Sequence, residues 1–341
     1  MQKESPARPI LAIAWLVLFV FSIVPGREVV AQASPPSFWE PADTFHPQRF
    51  WYSAGGSVLA YAGSTMGLYQ IWYKDYELGR LRIFDDWGQW EHVDKAGHAL
   101  TAYAESYLAF KGARWTGIEH NKAVWVGAGI STLLQTTVEV LDGFSERWGF
   151  SIPDVISNTA GTALFTSQQL IWQEQRVLLK ISNSRPAYPT DPIPASGEGT
   201  GIGSAREAAH DLYGKNYLEA FIKDYNGMTI WASVNPNAFL GKNNEKSPLP
   251  DWLNIAFGYG AENVYGAYGN GWTADDGQKY SLNRYPRTRQ FYLSLDIDTA
   301  RIPTNNGFLK TLFSAIRFIK IPAPAVEWRS DGSTRFHPIY W

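Results

Sequence analysis

The chain has 341 residues and a net charge of −2, from 30 Lys and Arg against 32 Asp and Glu, and it contains no cysteine. Balanced charge without a long basic run excludes nucleic acid as an expected partner. The lack of cysteine excludes disulfides, a disulfide-linked partner, thiolate metal sites, a cysteine nucleophile and a lipid anchored on cysteine, while a chain this long can bury a core without covalent staples.

Lys3 and Arg8 come first, then an apolar run from Ile10 to Val24, which Pro25 and Gly26 end. Ala31-Gln32-Ala33 follows, with small residues two apart. This is the order of a secretory signal peptide, and the run of 15 falls short of the roughly 20 apolar residues of a spanning helix. The expectation is a signal peptide over residues 1–33, cleaved after Ala33, and a mature protein in the periplasm or cell envelope.

Residues 34–48 read as a polar lead-in. Tyr52 to Tyr73 runs 22 positions without a charge and is studded with Gly55, Gly56, Ala60, Gly63, Ser64 and Gly67. Small residues at such spacing let helices approach closely, in a membrane bundle or in a soluble core. Three more helices are expected: Asp94 to Phe110, Lys122 to about Arg147, and one beginning at Ser151-Ile152-Pro153-Asp154 with a serine cap, an early proline and an early acid. Together they predict a four-helix bundle over 34–183.

From Ser184 to Ser204 come Pro186, Pro189, Pro192 and Pro194, then Gly197, Gly199, Gly201 and Gly203, which predicts a linker or long surface loop. The remainder, 205–341, reads as mixed. A helix is expected over Ala205–Lys223, weak at Gly214, and another from Thr304 to about Phe318. Strands are expected at Thr229–Val234, Leu253–Tyr259 and Gln290–Asp298; in the last, Phe291, Leu293, Leu295 and Ile297 share one face and Tyr292, Ser294, Asp296 and Asp298 the other, solvated one. The fold class is therefore α+β, mainly α: a helical bundle followed by a mixed region with a few strands. Three strands and a terminal Trp341 do not amount to a membrane barrel, which begins at about eight strands.

Three successive helices carry polar stripes. Asp94, His98, Thr101 and Glu105 share a face of one; Gln135, Glu139, Asp142 and Glu146 recur by four, three and four on the next; Asp154 and Asn158 lie four apart on the last, followed by Gly161 and Thr162. A stripe can be a solvated face. It can also face inward, since the helices are apolar nearly all round and the stripes hold few lysines; buried charges must then partner one another, a metal or a polar ligand. Antiparallel helices with short loops bring the start of the first, the end of the second and the start of the third to one level. Asp94, His98, Glu139, Asp154 and Asn158 are thus expected to converge, with Lys95 and Asp142 beside them. Asp94, His98 and Glu139 could ligate a divalent metal; His98 with Asp94 or Glu139 could form an acid–base pair; or the set could be a structural network. No cofactor is specified.

These residues carry a likeness. Asp94-Lys95 with His98, then Glu139, then Asp154 with Asn158 and Gly161, resembles the pattern of VanZ-like membrane proteins. The wider chain resembles the YfiM-like family of predicted periplasmic lipoproteins, through Lys223-Asp224-Tyr225-Asn226-Gly227 with Trp231, Trp252-Leu253-Asn254 with Gly258-Tyr259-Gly260, Arg289-Gln290 with Tyr292-Leu293-Ser294 and Asp296-Ile297-Asp298, and Ile321-Pro322-Ala323-Pro324 with Glu327. That family has no assigned activity; its VanZ-like relatives imply envelope-lipid or cell-wall chemistry. Three functions follow as expectations: an envelope module binding lipid or a membrane partner; an enzyme on an envelope lipid or cell-wall precursor, using Asp94, His98, Glu139 and Asp154 as acid–base or metal groups with Lys95, Asp142 and Asn158 binding; or a structural protein whose cluster fixes helix register.

Overall fold

The computed structural model describes residues 37–70, 79–145, 148–197, 199–240 and 249–341. The expected signal peptide, Glu146 of the second stripe and the end of the charge-free segment past residue 70 lie outside the described residues. Trp39–Trp341 form one compact unit.

Its helical layer begins with α1 (Pro47–Leu68), capped by the His46 side chain. After a two-residue strand β1 (Ile83–Phe84) come α2 (Val93–Trp115) and α3 (His120–Phe144), then β2 (Phe150–Ser151), which pairs in parallel with β1, and α4 (Ile152–Trp172). The start of α4 follows its sequence signals: Ser151 Oγ accepts from the Asp154 amide at 3.0 Å, and Pro153 sits in the first turn. Helices α2, α3 and α4 pack on one another around Tyr103, Tyr107, Phe110, Ala123, Val124 and Phe165. Two glycines permit this. A Cβ on Gly127 would sit 2.4 Å from the Ser106 carbonyl oxygen, and one on Gly161 2.0 Å from that of Ala99. Gly161→Ala is therefore expected to force α2 and α4 apart and cost about 1–3 kcal/mol, read as a drop in the urea midpoint at unchanged slope; an unshifted midpoint would show that the helices have room to spare.

Of the four helices expected to bundle, α1 stands apart. It is tied to the others by Arg49, which donates to the Trp115 carbonyl at 3.2 Å, and by Tyr61 to Thr137 at 3.2 Å. Nothing lies within 4 Å of a Cβ built on Gly55, Gly56, Gly63 or Gly67, so its small-residue face has no close neighbour among the described residues.

The second layer is a six-stranded antiparallel sheet of β3 (Val177–Asn183), β6 (Met228–Val234), β7 (Leu253–Glu262), β10 (Thr288–Ile297), β11 (Ala323–Arg329) and β12 (Thr334–Tyr340), in the order β12-β11-β10-β7-β6-β3. The three expected strands are β6, β7 and β10. Strand β3 belongs in sequence to the region expected as bundle, yet pairs with β6 on the far side of 184–204. That proline- and glycine-rich stretch, expected as a linker, carries strand β4 (Ile193–Pro194), which pairs with β5 (Ile202–Gly203); Ile193 is buried in a core with Tyr213, Tyr265 and Trp272. The helix expected over 205–223 is two, α5 (Ala205–Tyr213) and α6 (Tyr217–Lys223), broken at Gly214, whose φ of +90° suits glycine. Short α7 (Pro236–Phe239), the hairpin β8 (Gly271–Thr273) and β9 (Lys279–Ser281), and α8 (Gly307–Ala315) complete the unit; α8 is capped by Asn306, not Thr304.

The two faces of the sheet reverse the expected polarity. Asp296 and Asp298, expected on a solvated face, are each 1% exposed. Asp296 pairs with Lys180 at 2.7 Å and accepts from Ser233 at 2.6 Å, and Asp298 pairs with Arg317 at 2.7 Å. On this buried side Tyr292 stacks on Tyr340, and Trp231 packs tilted against the first and edge-on against the second. The apolar side, with Phe257, Phe291, Leu293, Leu295, Trp328 and Phe336, is exposed.

Candidate functional site

The site forms where α2 begins. Three consecutive non-glycine residues precede the helix in the left-handed region: Trp90 (φ 51°), Glu91 (φ 51°) and His92 (φ 66°). Such strain persists only where the surroundings over-determine it. Here Glu91 is gripped by Arg287 at 2.9 Å and Arg289 at 2.7 Å, the Trp90 amide donates to the Ala267 carbonyl at 2.8 Å, and Val93 packs with Met228, Ala261 and Val264. The turn thereby sets the start of α2 against the sheet.

Lys95 is the centre of the charge cluster. Its ammonium lies 2.7 Å from Asp86, 2.8 Å from Asp94 and 2.6 Å from Asp154. The His98 ring sits beside it: Nε2 is 3.8 Å from Asp94 and 3.6 Å from Asp154, while Nδ1 is 3.7 Å from Glu139 and 3.2 Å from Asn158 Oδ1. Asn158 in turn donates through Nδ2 to Glu139 at 3.4 Å, and the Ser151 amide donates to the other Glu139 oxygen at 3.3 Å. With Asn158 Oδ1 turned to the imidazole, Nδ1 carries the proton. Tyr225 donates to Asp94 at 2.8 Å and Ser151 to Asp86 at 2.6 Å. A neighbouring set extends along α2 and α3, where Glu105 accepts from Gln135 at 2.9 Å and from Ser131 at 3.4 Å.

Burial and charge pull against each other here. Burial pushes the Glu139 carboxyl up to about 8, though His98 opposes it. Burial also lifts Asp154 to about 6 and Glu105 to about 7. For Asp94, burial is outweighed by His98 and Lys95, which hold its carboxyl below the ordinary value. For His98 and Lys95, burial is outweighed by the surrounding carboxylates, which raise both pKa values above the ordinary ones.

The expected convergence is therefore present: Asp94, Lys95, His98, Glu139, Asp154 and Asn158 meet at one end of the three helices. Asp142 lines the same cavity, and its charge helps to raise Glu139. Sequence reasoning missed Asp86, which lies outside any helical stripe, and Tyr225; the latter stands in Lys223–Gly227, a segment that carried the family likeness without a role. The cavity measures about 470 Å³ and is mostly apolar, with Phe84, Trp90, Trp148, Ile181 and Ile230 among its walls. Its charged lining is Asp86, Asp94, Glu105, Asp142, Asp154 and His98, with no Lys or Arg among the described residues.

One ligand atom each from Asp94, His98 and Asp154 fall within 4.8 Å of one another, a spacing that could hold a metal ion. The set differs from the expected Asp94, His98 and Glu139: Glu139 faces the opposite ring nitrogen from Asp94 and Asp154. Lys95 already places an ammonium on two of the three ligands, so a metal would have to compete with it for the same lone pairs.

Residues 84–168 match the model of a family described as predicted periplasmic lipoprotein (DUF2279). The matched span holds every member of the cluster except Tyr225. The chain is an exported protein of the periplasm or envelope. With no cysteine in its sequence, no cysteine side chain of this chain carries a lipid. No curated protein and no solved structure matches the chain.

Proposed function

We propose that this protein is an envelope module whose cavity takes up an amphiphilic envelope molecule, with its apolar part against the aromatic and aliphatic walls and an ammonium- or hydroxyl-bearing headgroup against the acidic cluster. The observation that carries the reading is the lining: apolar over most of its area, with five carboxylates at one wall, three of them paired to Lys95 behind them, and no Lys or Arg in the lining itself among the described residues. Such a wall attracts donors and cations and repels an exposed phosphate. The VanZ-like pattern of the cluster supports an envelope lipid or cell-wall precursor as the class. A second support is the exposed face of the sheet. Phe257, Leu293 and Phe336 lie in one cross-strand row through Val326, and Phe291 lies opposite Trp328 in the next; an exposed apolar patch of this kind is a surface for membrane contact. Helix α3 is, among the described residues, the one helix long and apolar enough to span a bilayer, but it buries Glu139 and Gln135 against its neighbours.

A second reading, an enzyme on the same ligand, is favoured by one specific observation. The His98 imidazole, whose pKa its neighbours raise, stands between Glu139 and Asp154, and burial lifts the Glu139 and Glu105 carboxyls to about 8 and about 7, the range in which proton transfer is most efficient. The experiment is lipid uptake. Full-length purified protein is incubated with vesicles of phosphatidylethanolamine or phosphatidylglycerol and separated from them, and the bound lipid is extracted. The amine lipid is expected at about tenfold excess, reduced severalfold by Asp142→Asn. Equal uptake of both lipids, or none, ends the binding reading; a chemically altered lipid in the extract, lost in His98→Gln, establishes the enzymatic one.

A further inference from the structure

At the opposite end of α2, about three turns from His98, lies a second cavity of about 600 Å³ between α2, α4 and the segment leading into α8. Its character is the reverse of the first. Lys111, Arg301, Lys310 and Arg317 line it against a single carboxylate, Glu174. Asp298 stands behind Arg301 and Arg317, at 3.4 Å and 2.7 Å. Four lining cations, with Arg176 behind Glu174, stand against two carboxylates and leave a local charge of +3. Glu174 is held by Arg301 at 2.9 Å and by Arg176 at 3.0 Å, while no ion pair is recorded for Lys111 or Lys310 among the described residues.

Two buried side chains on this wall are unsatisfied. Arg317 is 6% exposed, and its Nε–H has no acceptor; Gln169 is 4% exposed, and its Oε1 has no donor. A buried polar group without a partner is costly and calls for an explanation; an anion supplies one for the Arg317 donor, not for the Gln169 oxygen. Tyr107, whose ring lies under the Arg317 guanidinium at 4.8 Å and whose hydroxyl is 3.0 Å from Ser314, completes the wall. Burial would push that hydroxyl up, but Arg317 and Lys111 outweigh it and hold it below the ordinary tyrosine value, which makes it a strong donor.

We propose that this cavity is a binding site for a phosphate monoester, whose two negative charges answer the excess of cations and whose oxygens satisfy the Arg317 Nε–H and the flanking lysines. The shared chemistry is the phosphate dianion, borne by a soluble phosphate or by a lipid headgroup. A carboxylate carries half the charge and leaves donors unmatched. The site is independent of the acidic cavity, which would repel the same ligand.

The test is calorimetric titration of the full-length protein with inorganic phosphate at low salt, in parallel with flotation on vesicles containing phosphatidic acid. Saturable binding to phosphate is expected, at least tenfold weaker in the Lys111→Ala, Lys310→Ala double variant. Both lysines are exposed, so the variant should keep the wild-type melting temperature. Flotation without binding of free phosphate, lost in the double variant, identifies the lipid source and supports the site. Tyr107→Phe, which leaves the lysines in place, should weaken binding severalfold. No saturable binding to either probe, or equal binding by wild type and the double variant, overturns the proposal.

Discussion

Replacing Lys95 with methionine is expected to destabilise the protein by about 3–5 kcal/mol, the range for removing one partner of a buried ionic group. Three carboxylates, Asp86, Asp94 and Asp154, lie within 2.8 Å of this one ammonium. Without it they repel one another in a site 6–7% exposed at Lys95, Asp86 and Asp154. Protonation can relieve part of that repulsion, so the loss should be smaller in acid than at neutral pH. Glu119→Gln is the control: Glu119 is exposed in the turn before α3, and its replacement should change stability by less than about 0.5 kcal/mol. Urea denaturation at pH 5 and pH 7.5 measures both. A Lys95→Met variant as stable as Glu119→Gln at neutral pH would mean that the cluster does not hold the three helices together.

Stability is also expected to fall as pH rises from about 4.5 to 8, against the common pattern in which carboxylates stabilise proteins above their pKa values. The sign follows from linkage: a group whose pKa is higher folded than unfolded binds more protons in the folded state, and its contribution is lost as pH rises through the folded value. Glu139, raised from 4.5 to about 8, and Asp154, raised from 3.8 to about 6, both act this way. His98, also raised, adds stability below its unfolded value of about 6.5 that is lost as pH climbs through the folded one. Asp94, held low, opposes them only toward acid. The largest part comes from Glu139, a loss on the order of 3–5 kcal/mol across its window at 1.36 kcal/mol per unit. In Glu139→Gln the slope between pH 5 and 8 should flatten by more than half, because the amide can still accept from the Ser151 amide without a charge to desolvate. A wild-type stability that is flat or rising across that interval would show that Glu139 stays ionised in the fold.

Much of the site was legible in the sequence because helices α2, α3 and α4 are local objects. Their period places Asp94 beside His98 and Asp154 beside Asn158. Short loops force neighbouring helices antiparallel, and that alone brings Glu139 to the level of both pairs. The helix start at Ser151 was equally plain, since a cap and an early proline act within one turn. Lys95 was legible as a neighbour of the cluster but not as its centre. A lysine next to an aspartate reads as a surface residue until Asp86 and Asp154 are seen to enclose it.

The sheet was less legible, for a different reason. Alternation in β10 separates Phe291, Leu293 and Leu295 from Tyr292, Ser294 and Asp296, but it does not say which set is inside. Asp296 goes in because Lys180, Ser233 and Lys320 wait there, from β3, β6 and the segment before β11, and none of these is near it in sequence. Strand β3 escaped notice for the same reason, its central Lys180 being tolerable only beside Asp296. What the sequence determined by itself was export, the absence of thiol chemistry, helices α2, α3 and α4 and the faces on which their polar residues lie, because each depends on composition or on spacing within a few turns. Only the tertiary structure decided which faces are buried, that Asp86 and Tyr225 join the cluster, and that a basic cavity forms at the far end of α2. Those outcomes depend on pairing charges across distant segments, and the free energy of a buried charge is set by the partners it meets, not by its neighbours along the chain.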